Sequence, residues 1–148
     1  MSGVIALLHG PNLNLLGQRE VDIYGTTTET DLVALVEKTL AAHELTVEFF
    51  QSNHEGELVE RVHAARGRCR GIIINGGALS HYGWSLHDAL ATFDGPIIEV
   101  HLSNTSKRES WRHTSVLTPV SNGTIMGLGP HGYELAAEAL ARILNDNT

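Results

Sequence analysis

The chain has 148 residues, of which 42% are hydrophobic and 18% charged, and its net charge is −7. This balance is typical of one globular domain, and the acidic charge argues against general nucleic-acid binding. No apolar run is long enough to span a membrane, no secretory signal is recognisable, and the single cysteine, Cys69, indicates a reducing compartment. We therefore expect one cytoplasmic domain over residues 1–148, with neither a nucleic-acid nor a membrane partner.

Strand and helix patterns alternate along the chain. Short apolar runs rich in β-branched residues predict five strands, at 3–9, 45–51, 71–75, 96–101 and 123–129. Apolar residues at helical spacing predict four helices, at 26–43, 52–67, 85–93 and 132–145. Thr28 with Asp31, and Ser52 with Glu55, have the spacing of capping boxes at the first two helices.

This alternation predicts an α/β fold in which helices cover both faces of a parallel sheet. At this length the most economical layout is a flavodoxin-like three-layer sandwich, with five parallel strands in the order 2-1-3-4-5.

Polar residues and glycines follow every predicted strand. In open α/β sheets ligands bind beyond the carboxyl ends of the strands, so these residues are candidates for a site. Asn and Gly are also ordinary turn residues, and a single polar end would mean little. Their accumulation at five ends favours a polar small-molecule pocket built from several strands. The residues are His9 to Asn12, Gln51 to His54, Asn75 to Gly77 with His81, Glu99 to Asn104, and Gly127 to Gly129.

Several chemistries lack their usual signatures. No glycine-rich phosphate loop follows the first strand, and Pro11 removes a backbone donor there. The histidines do not have metal-ligand spacing, so we expect no metal site. A serine nucleophile elbow is absent, and Cys69 precedes the third strand, at the opposite edge of the sheet.

Acid–base chemistry remains. Glu99 and His101 are two apart on one strand and so point to the same face, where a carboxylate favours the protonated imidazole of a general acid. Arg19 and Tyr24 lie in the long connection after the first strand, and an arginine would favour a tyrosinate base. Spacing alone fits equally well a solvated loop in which Arg19 pairs with an acidic neighbour and Tyr24 anchors the loop.

Four segments together closely resemble the type II 3-dehydroquinate dehydratases. They are "GPNLNLLGQRE", "QSNHEGELVERVH", "INGGALSH" and "IEVHLSN", and the similarity extends to "GLGPHGYELAAEAL". The resemblance implies a flavodoxin-like enzyme without metal or cofactor, assembled as a homo-dodecamer of trimers. It implies conversion of 3-dehydroquinate to 3-dehydroshikimate and water by anti elimination through an enolate.

The resemblance also implies roles for individual residues. Tyr24 matches the base that removes the C2 proton, Arg19 its activator, and Asn12 the residue that holds the water stabilising the enolate. His101 matches the general acid, supported by Glu99. The matching substrate-binding residues are Asn75, His81, Leu102, Ser103 and Arg112, with Asp88 reaching the pocket from a neighbouring subunit.

The chain departs from the usual family pattern at Gly76, at Tyr82-Gly83-Trp84, and at Val21, which lies between Arg19 and Tyr24 in the segment that the resemblance implies is a lid closing over the substrate. A related cyclic hydroxy-ketone acid as substrate is therefore a second hypothesis. A third is a non-catalytic flavodoxin-like binding module, against which the retained acid and base positions count.

Overall fold

The computed structural model describes residues 2–18 and 21–147, and of Tyr24 the backbone alone. The strands are β1 (Gly3–His9), β2 (Leu45–Gln51), β3 (Gly71–Asn75), β4 (Ile97–His101) and β5 (Gly123–Met126). The helices are α1 (Val21–Tyr24), α2 (Glu29–Ala41), α3 (Glu55–Ala65), α4 (Trp84–Ala91) and α5 (His131–Asp146). Short 3-10 turns lie at Leu13–Leu15, Gly77–His81, Thr105–Lys107, Ser110–Arg112 and Thr118–Val120.

All strand pairs are parallel, and the order in the sheet is β2-β1-β3-β4-β5. The predicted fold class and strand order are therefore confirmed. The register places His9 beside Gln51 on one side and beside Asn75 on the other, so the carboxyl ends of β1, β2 and β3 are level.

Two hydrophobic clusters lie on opposite faces of the sheet because side chains alternate along each strand. Ile5 and Leu7 of β1 belong to the cluster that includes α2 and α5, whereas Ala6 and Leu8 belong to the cluster that includes α3 and α4. Each face of β1 is thus covered by helices, which explains its uninterrupted apolar sequence.

The first predicted capping box is confirmed, since Thr28 and Asp31 exchange side-chain and backbone hydrogen bonds at the start of α2. The second is wrong. His54 precedes α3 without a side-chain cap, Ser52 bonds to Glu57, and Glu55 accepts a hydrogen bond from the backbone of Leu86.

The fifth strand is shorter than predicted and ends at Met126, because Gly127 (φ 87°) and Gly129 (φ 59°) turn the backbone into the left-handed region. Within the two described ranges, no helix is both long enough and apolar enough to cross a bilayer.

Candidate active site

A cleft opens at the carboxyl edge of the sheet and encloses about 640 Å³, part of it open to solvent. Its lining comes from the segments that follow β1, β3 and β4. Among the described residues, the segments after β2 and β5 contribute no lining residue. The predicted pocket is therefore built from several strand ends, but from three of them and not from all five. The lining residues are Pro11, Asn12, Leu13, Leu16, Asn75, Gly77, Ala78, His81, His101, Leu102, Ser103, Thr105, Arg108 and Arg112.

Main-chain atoms of two strand ends meet next to the cleft, where β1 and β3 end. The N–H of Gly10 donates to the carbonyl of Asn75 at 2.8 Å. A Cβ at position 10 would lie 2.1 Å from the carbonyl oxygen of Gly76, which no side chain could tolerate. Glycine is therefore required at position 10 for the two strand ends to meet this closely.

Asn12 adopts the left-handed conformation, with φ 70°, directly before the 3-10 turn. Its N–H donates to Oδ1 of Asn53 at 3.0 Å, and the amide of Gln51 donates to the same oxygen at 3.1 Å. The end of β2 thus holds the backbone of Asn12 without lining the cleft. Asparagine tolerates this conformation better than most residues, which suits it to the position.

Glu99 and His101 form a buried pair at the end of β4. The exposed fractions of the two residues are 0% and 6%, and Nε2 of His101 lies 2.7 Å from Oε2 of Glu99. Because Nε2 is engaged by the carboxylate, Nδ1 is the ring nitrogen that remains to meet a ligand in the cleft.

Three hydroxyl groups also donate to the carboxylate of Glu99. Ser115 bonds to Oε2 at 2.6 Å, whereas Thr118 and Thr124 bond to Oε1 at 2.5 and 3.1 Å. Burial by itself raises the pKa of Glu99, but the hydrogen bonds from His101, Ser115 and Thr118 outweigh it and lower the pKa below its ordinary value. Glu99 is therefore held as an anion behind the imidazole.

His81 faces His101 across the cleft, with ring centroids 6.4 Å apart and an interplanar angle of 20°. Nδ1 of His81 bonds to the carbonyl of Thr114 at 2.8 Å. A carbonyl only accepts, so Nδ1 carries a proton and Nε2 is the acceptor of the neutral ring. Burial lowers the pKa of His81, and the nearby His101 and Arg112 act in the same direction.

The loop after β4 brings basic and hydroxyl groups to the cleft. Arg108 donates from one terminal nitrogen to Oγ of Ser103 at 3.3 Å. Arg112 is held by Glu109, which accepts from its Nε at 3.0 Å, and by the ring of Trp111, whose centroid lies 4.0 Å from its guanidinium carbon. Two guanidinium groups at one wall favour a negatively charged ligand.

Residues 3–141 match the family model of the class II dehydroquinases. The chain belongs to the class II dehydroquinase family. It is 49% identical over 146 residues to 3-dehydroquinate dehydratase 2 of Pseudomonas putida, covering 99% of this chain and 98% of that one. It is also 49% identical over 138 residues to the catabolic 3-dehydroquinase of Penicillium rubens, covering 93% and 89%. The crystal structure of the type II dehydroquinase of Propionibacterium acnes superposes with a TM-score of 0.89 at 44% identity, covering 96% and 98%.

The family identified from the motifs is thereby confirmed, and most residues that the resemblance assigns to the site of this class II dehydroquinase do lie together. Glu99 sits directly behind the lining, hydrogen-bonded to His101. Asp88 is exposed on α4, outside the cleft of its own chain. Arg19 lies outside the described residues, and of Tyr24 only the backbone, at the end of α1, is described. The predicted residues that line the cleft are Asn12, Asn75, His81, His101, Leu102, Ser103 and Arg112.

Sequence reasoning missed Arg108, which lines the cleft of this dehydroquinase with a side chain only 11% exposed. The sequence signal for it is a second arginine, four residues before Arg112, in the same segment after β4. The three hydroxyls around Glu99 were also missed, because they come from segments 16 to 25 residues further along the chain.

Two departures from the dehydroquinase pattern have local explanations. A Cβ at Gly76 would lie 2.6 Å from Oγ of Ser80 and 2.8 Å from Cδ1 of Leu117, so the packing around this site fits glycine. A Cβ at Gly83 would lie 2.7 Å from the carbonyl oxygen of Leu79. Gly83 is the N-cap residue of α4 and has no side chain with which to accept a backbone N–H of the first turn. The carboxylate of Glu55 accepts the N–H of Leu86 instead.

Tyr82 and Trp84 are exposed by 58% and 64%. Neither belongs to the described lining of the cleft, so they do not narrow it within a single chain. Val21 begins α1 and is exposed by 47%; nothing in the structure explains its presence there.

Across residues 2–18 and 21–147, no group of three or more His, Cys, Asp or Glu side chains is arranged to hold a metal ion. Cys69 is buried in the turn before β3, at the amino edge of the sheet and away from the cleft.

Proposed function

We propose that this class II dehydroquinase converts 3-dehydroquinate to 3-dehydroshikimate and water, using its own side chains and neither metal nor cofactor. The observation that carries the proposal is the Glu99–His101 pair, buried at the end of β4 with its imidazole at a cleft rich in hydrogen-bonding and cationic groups. The names of the relatives from Pseudomonas putida and Penicillium rubens agree with this reaction.

The elimination requires a base, an oxyanion stabiliser and an acid. Tyr24 as tyrosinate removes the C2 proton, with Arg19 favouring its anionic form. The electron pair of the broken C–H bond moves to the C3 carbonyl oxygen, and Asn12 holds the water that stabilises this enolate. As the enolate collapses, the C1–O bond breaks and His101 transfers its proton to the departing hydroxyl, which leaves as water.

Glu99 supports the acid step. Its charge is fixed by three hydroxyl donors, so it stabilises the protonated form of His101 before the transfer. It also holds the ring so that Nδ1 meets the leaving group. A carboxylate that is already desolvated and fully hydrogen-bonded needs no reorganisation during the reaction.

The carboxylate of the substrate binds at the loop after β4, to the backbone amides of Leu102 and Ser103. Arg112 lies close by and supplies a positive charge, while Asn75 and His81 bind the substrate hydroxyls. This assignment is supported by the two arginines at that wall and by the hydrogen bond that ties the Leu102 carbonyl to the N–H of Gly129 at 3.0 Å.

Assembly as a homo-dodecamer of trimers, in the cytoplasm, is part of the same proposal. Asp88 would enter the cleft of a neighbouring subunit, which accords with its exposure on α4. The exposed aromatic residues Tyr82 and Trp84 flank the start of the same helix and suit burial against another subunit.

The test is an absorbance assay for the conjugated product after mixing purified protein with 3-dehydroquinate. We expect turnover that persists in a strong chelator, and a Tyr24→Phe variant that binds substrate but does not turn it over. Leu140→Val, which trims a buried side chain at the other edge of the sheet, is the matched control and keeps its activity. Wild-type turnover by Tyr24→Phe would refute the assignment of the base, and loss of activity in chelator would refute the metal-free mechanism.

A further inference from the structure

A chain of hydrogen bonds runs from the cleft through the core to the start of α2. Nδ2 of Asn75 lies 3.0 Å from the hydroxyl of Tyr133, and that hydroxyl lies 2.8 Å from Nε2 of His9. Nδ1 of His9 then lies 2.8 Å from Oε2 of Glu29. Three of the four side chains are buried, and Glu29 is partly exposed.

The two ends of the chain determine the direction of every bond in it. The N–H of Gly77 donates to Oδ1 of Asn75 at 3.1 Å, so the other amide atom is the nitrogen, a donor. Tyr133 accepts from this nitrogen and must donate its own proton onward to Nε2 of His9. The carboxylate of Glu29 accepts from Nδ1, and His9 is therefore neutral with its proton on Nδ1.

The environment of the ring agrees with this assignment. His9 packs edge-to-face against Phe49 and Tyr133, with centroid distances of 5.2 and 5.6 Å. Burial lowers the pKa of His9, although the hydrogen bond and the charge of Glu29 act the other way. Burial likewise raises the pKa of Tyr133, so the phenol keeps the proton that it donates.

We propose that Tyr133 and His9 are positioning residues that fix the amide of Asn75, so that it presents its second N–H and one oxygen lone pair to the substrate. A protonated His9 would donate from Nε2 to the tyrosine oxygen and leave the tyrosine proton without its acceptor. The neutral Nδ1–H form is thus the state that holds Asn75 correctly. The role in substrate binding rests on the proposed function, whereas the hydrogen-bond chain does not.

A double-mutant cycle on the KM for 3-dehydroquinate tests the role. Tyr133→Phe removes the hydroxyl and keeps the ring; we expect KM to rise roughly 3- to 10-fold, the value of one lost hydrogen bond, with a much smaller change in kcat. In an Asn75→Ala background the same substitution should leave KM unchanged, because Tyr133 acts through Asn75. An unchanged KM in the single variant, or effects that simply add, would overturn the proposal.

Leu140→Val is the matched control, since Leu140 lies on the same helix as Tyr133 but packs toward Gly71, at the amino end of β3. It should lower the melting temperature without altering KM. Should Tyr133→Phe fail to fold, Glu29→Leu interrupts the chain at its partly exposed end and should also raise KM.

A second measurement needs no substrate. Magic-angle-spinning ¹⁵N spectra of histidine-labelled protein, with the His9 signals assigned by their loss in His9→Gln, report which ring nitrogen carries the proton. We expect a neutral ring protonated on Nδ1, and a shift of the Nε2 signal in Tyr133→Phe. A proton on Nε2, or no response to Tyr133→Phe, would overturn the chain. Absence of wild-type turnover would instead refute the proposed function, and the spectra would still decide whether the chain exists.

Discussion

The carboxylate of Glu99 and the imidazole of His101 act as one unit, because Oε2 of Glu99 accepts from Nε2 of His101 at 2.7 Å and both side chains are buried. The remaining acceptor positions of the carboxylate are filled by hydroxyls of Ser115, Thr118 and Thr124. Every partner of Glu99 in this cluster donates, so the position requires a group that only accepts.

Glu99→Gln should reduce kcat roughly 10²-fold, the lower end of what general acid catalysis contributes. The amide is neutral and cannot stabilise a protonated His101, and its NH₂ group would face a hydroxyl donor. Steady-state kinetics on 3-dehydroquinate measure the effect. Ser115→Ala is the control, because it removes one hydrogen-bond donor and leaves the negative charge of Glu99 in place. It should lower kcat only a few-fold. Equal losses in the two variants would show that the charge of Glu99 is unimportant.

The protein should become less stable as the pH falls from 7 towards 5. Burial lowers the pKa of His9 and that of His81, whereas an unfolded chain has histidines with pKa about 6.5. Below that pH the unfolded state therefore binds protons that the folded state does not, and the stability present above pH 6.5 is lost. Urea unfolding at several pH values between 5 and 7 measures how steeply the free energy of unfolding falls with pH. His9→Gln should reduce this slope. An unchanged slope in that variant would mean that His9 is not the group responsible.

Gly83→Ala should lower the free energy of unfolding by about 1–3 kcal/mol, the usual effect of forcing a methyl group into a packed site. Its Cβ would lie 2.7 Å from the Leu79 carbonyl oxygen and 3.2 Å from the carboxylate of Glu55. Gly56 in α3 is the control, because a Cβ there meets nothing within 4 Å. Gly56→Ala should be neutral or slightly stabilising, and denaturant unfolding of the two variants compares them directly.

Tyr82→Thr combined with Trp84→Val should leave KM for 3-dehydroquinate within about twofold of wild type, the range expected for substitutions that touch no described part of the cleft. The same variant should weaken any association between subunits, which sedimentation or light scattering would show, so KM is compared at a protein concentration at which both proteins remain associated. A large gain in activity on 3-dehydroquinate would instead support the hypothesis that these residues adapt the site to a related substrate.

The sequence was sufficient for the fold because the relevant signals are local. The apolar run of β1 and the Thr28–Asp31 cap lie within single segments, and the strand–helix alternation then leaves few topologies. The second cap failed for a non-local reason, since Glu55 serves the start of α4 instead of its own helix.

The site was predictable where one strand carries two functional side chains, as β4 does with Glu99 and His101. It was not predictable where partners are distant in sequence. Tyr133 and His9 are 124 residues apart, and only the packing of α5 on the sheet brings them together. The Arg19–Tyr24 pair stays a prediction, because Arg19 and the side chain of Tyr24 lie outside the described part of the chain.

The junction of Gly10 and Gly76 bears on any attempt to widen substrate range. Peptide atoms of two strands meet there, directly beside the lining residues Pro11 and Gly77, so the junction has no side chain that could be truncated to enlarge the cleft. Room for a bulkier ring has to come from the walls, at Leu13, Leu16 or Thr105, where side chains can be shortened. Engineered variants should therefore accept substituents that project towards these three side chains, and substitution at the Gly10–Gly76 junction should not extend the substrate range.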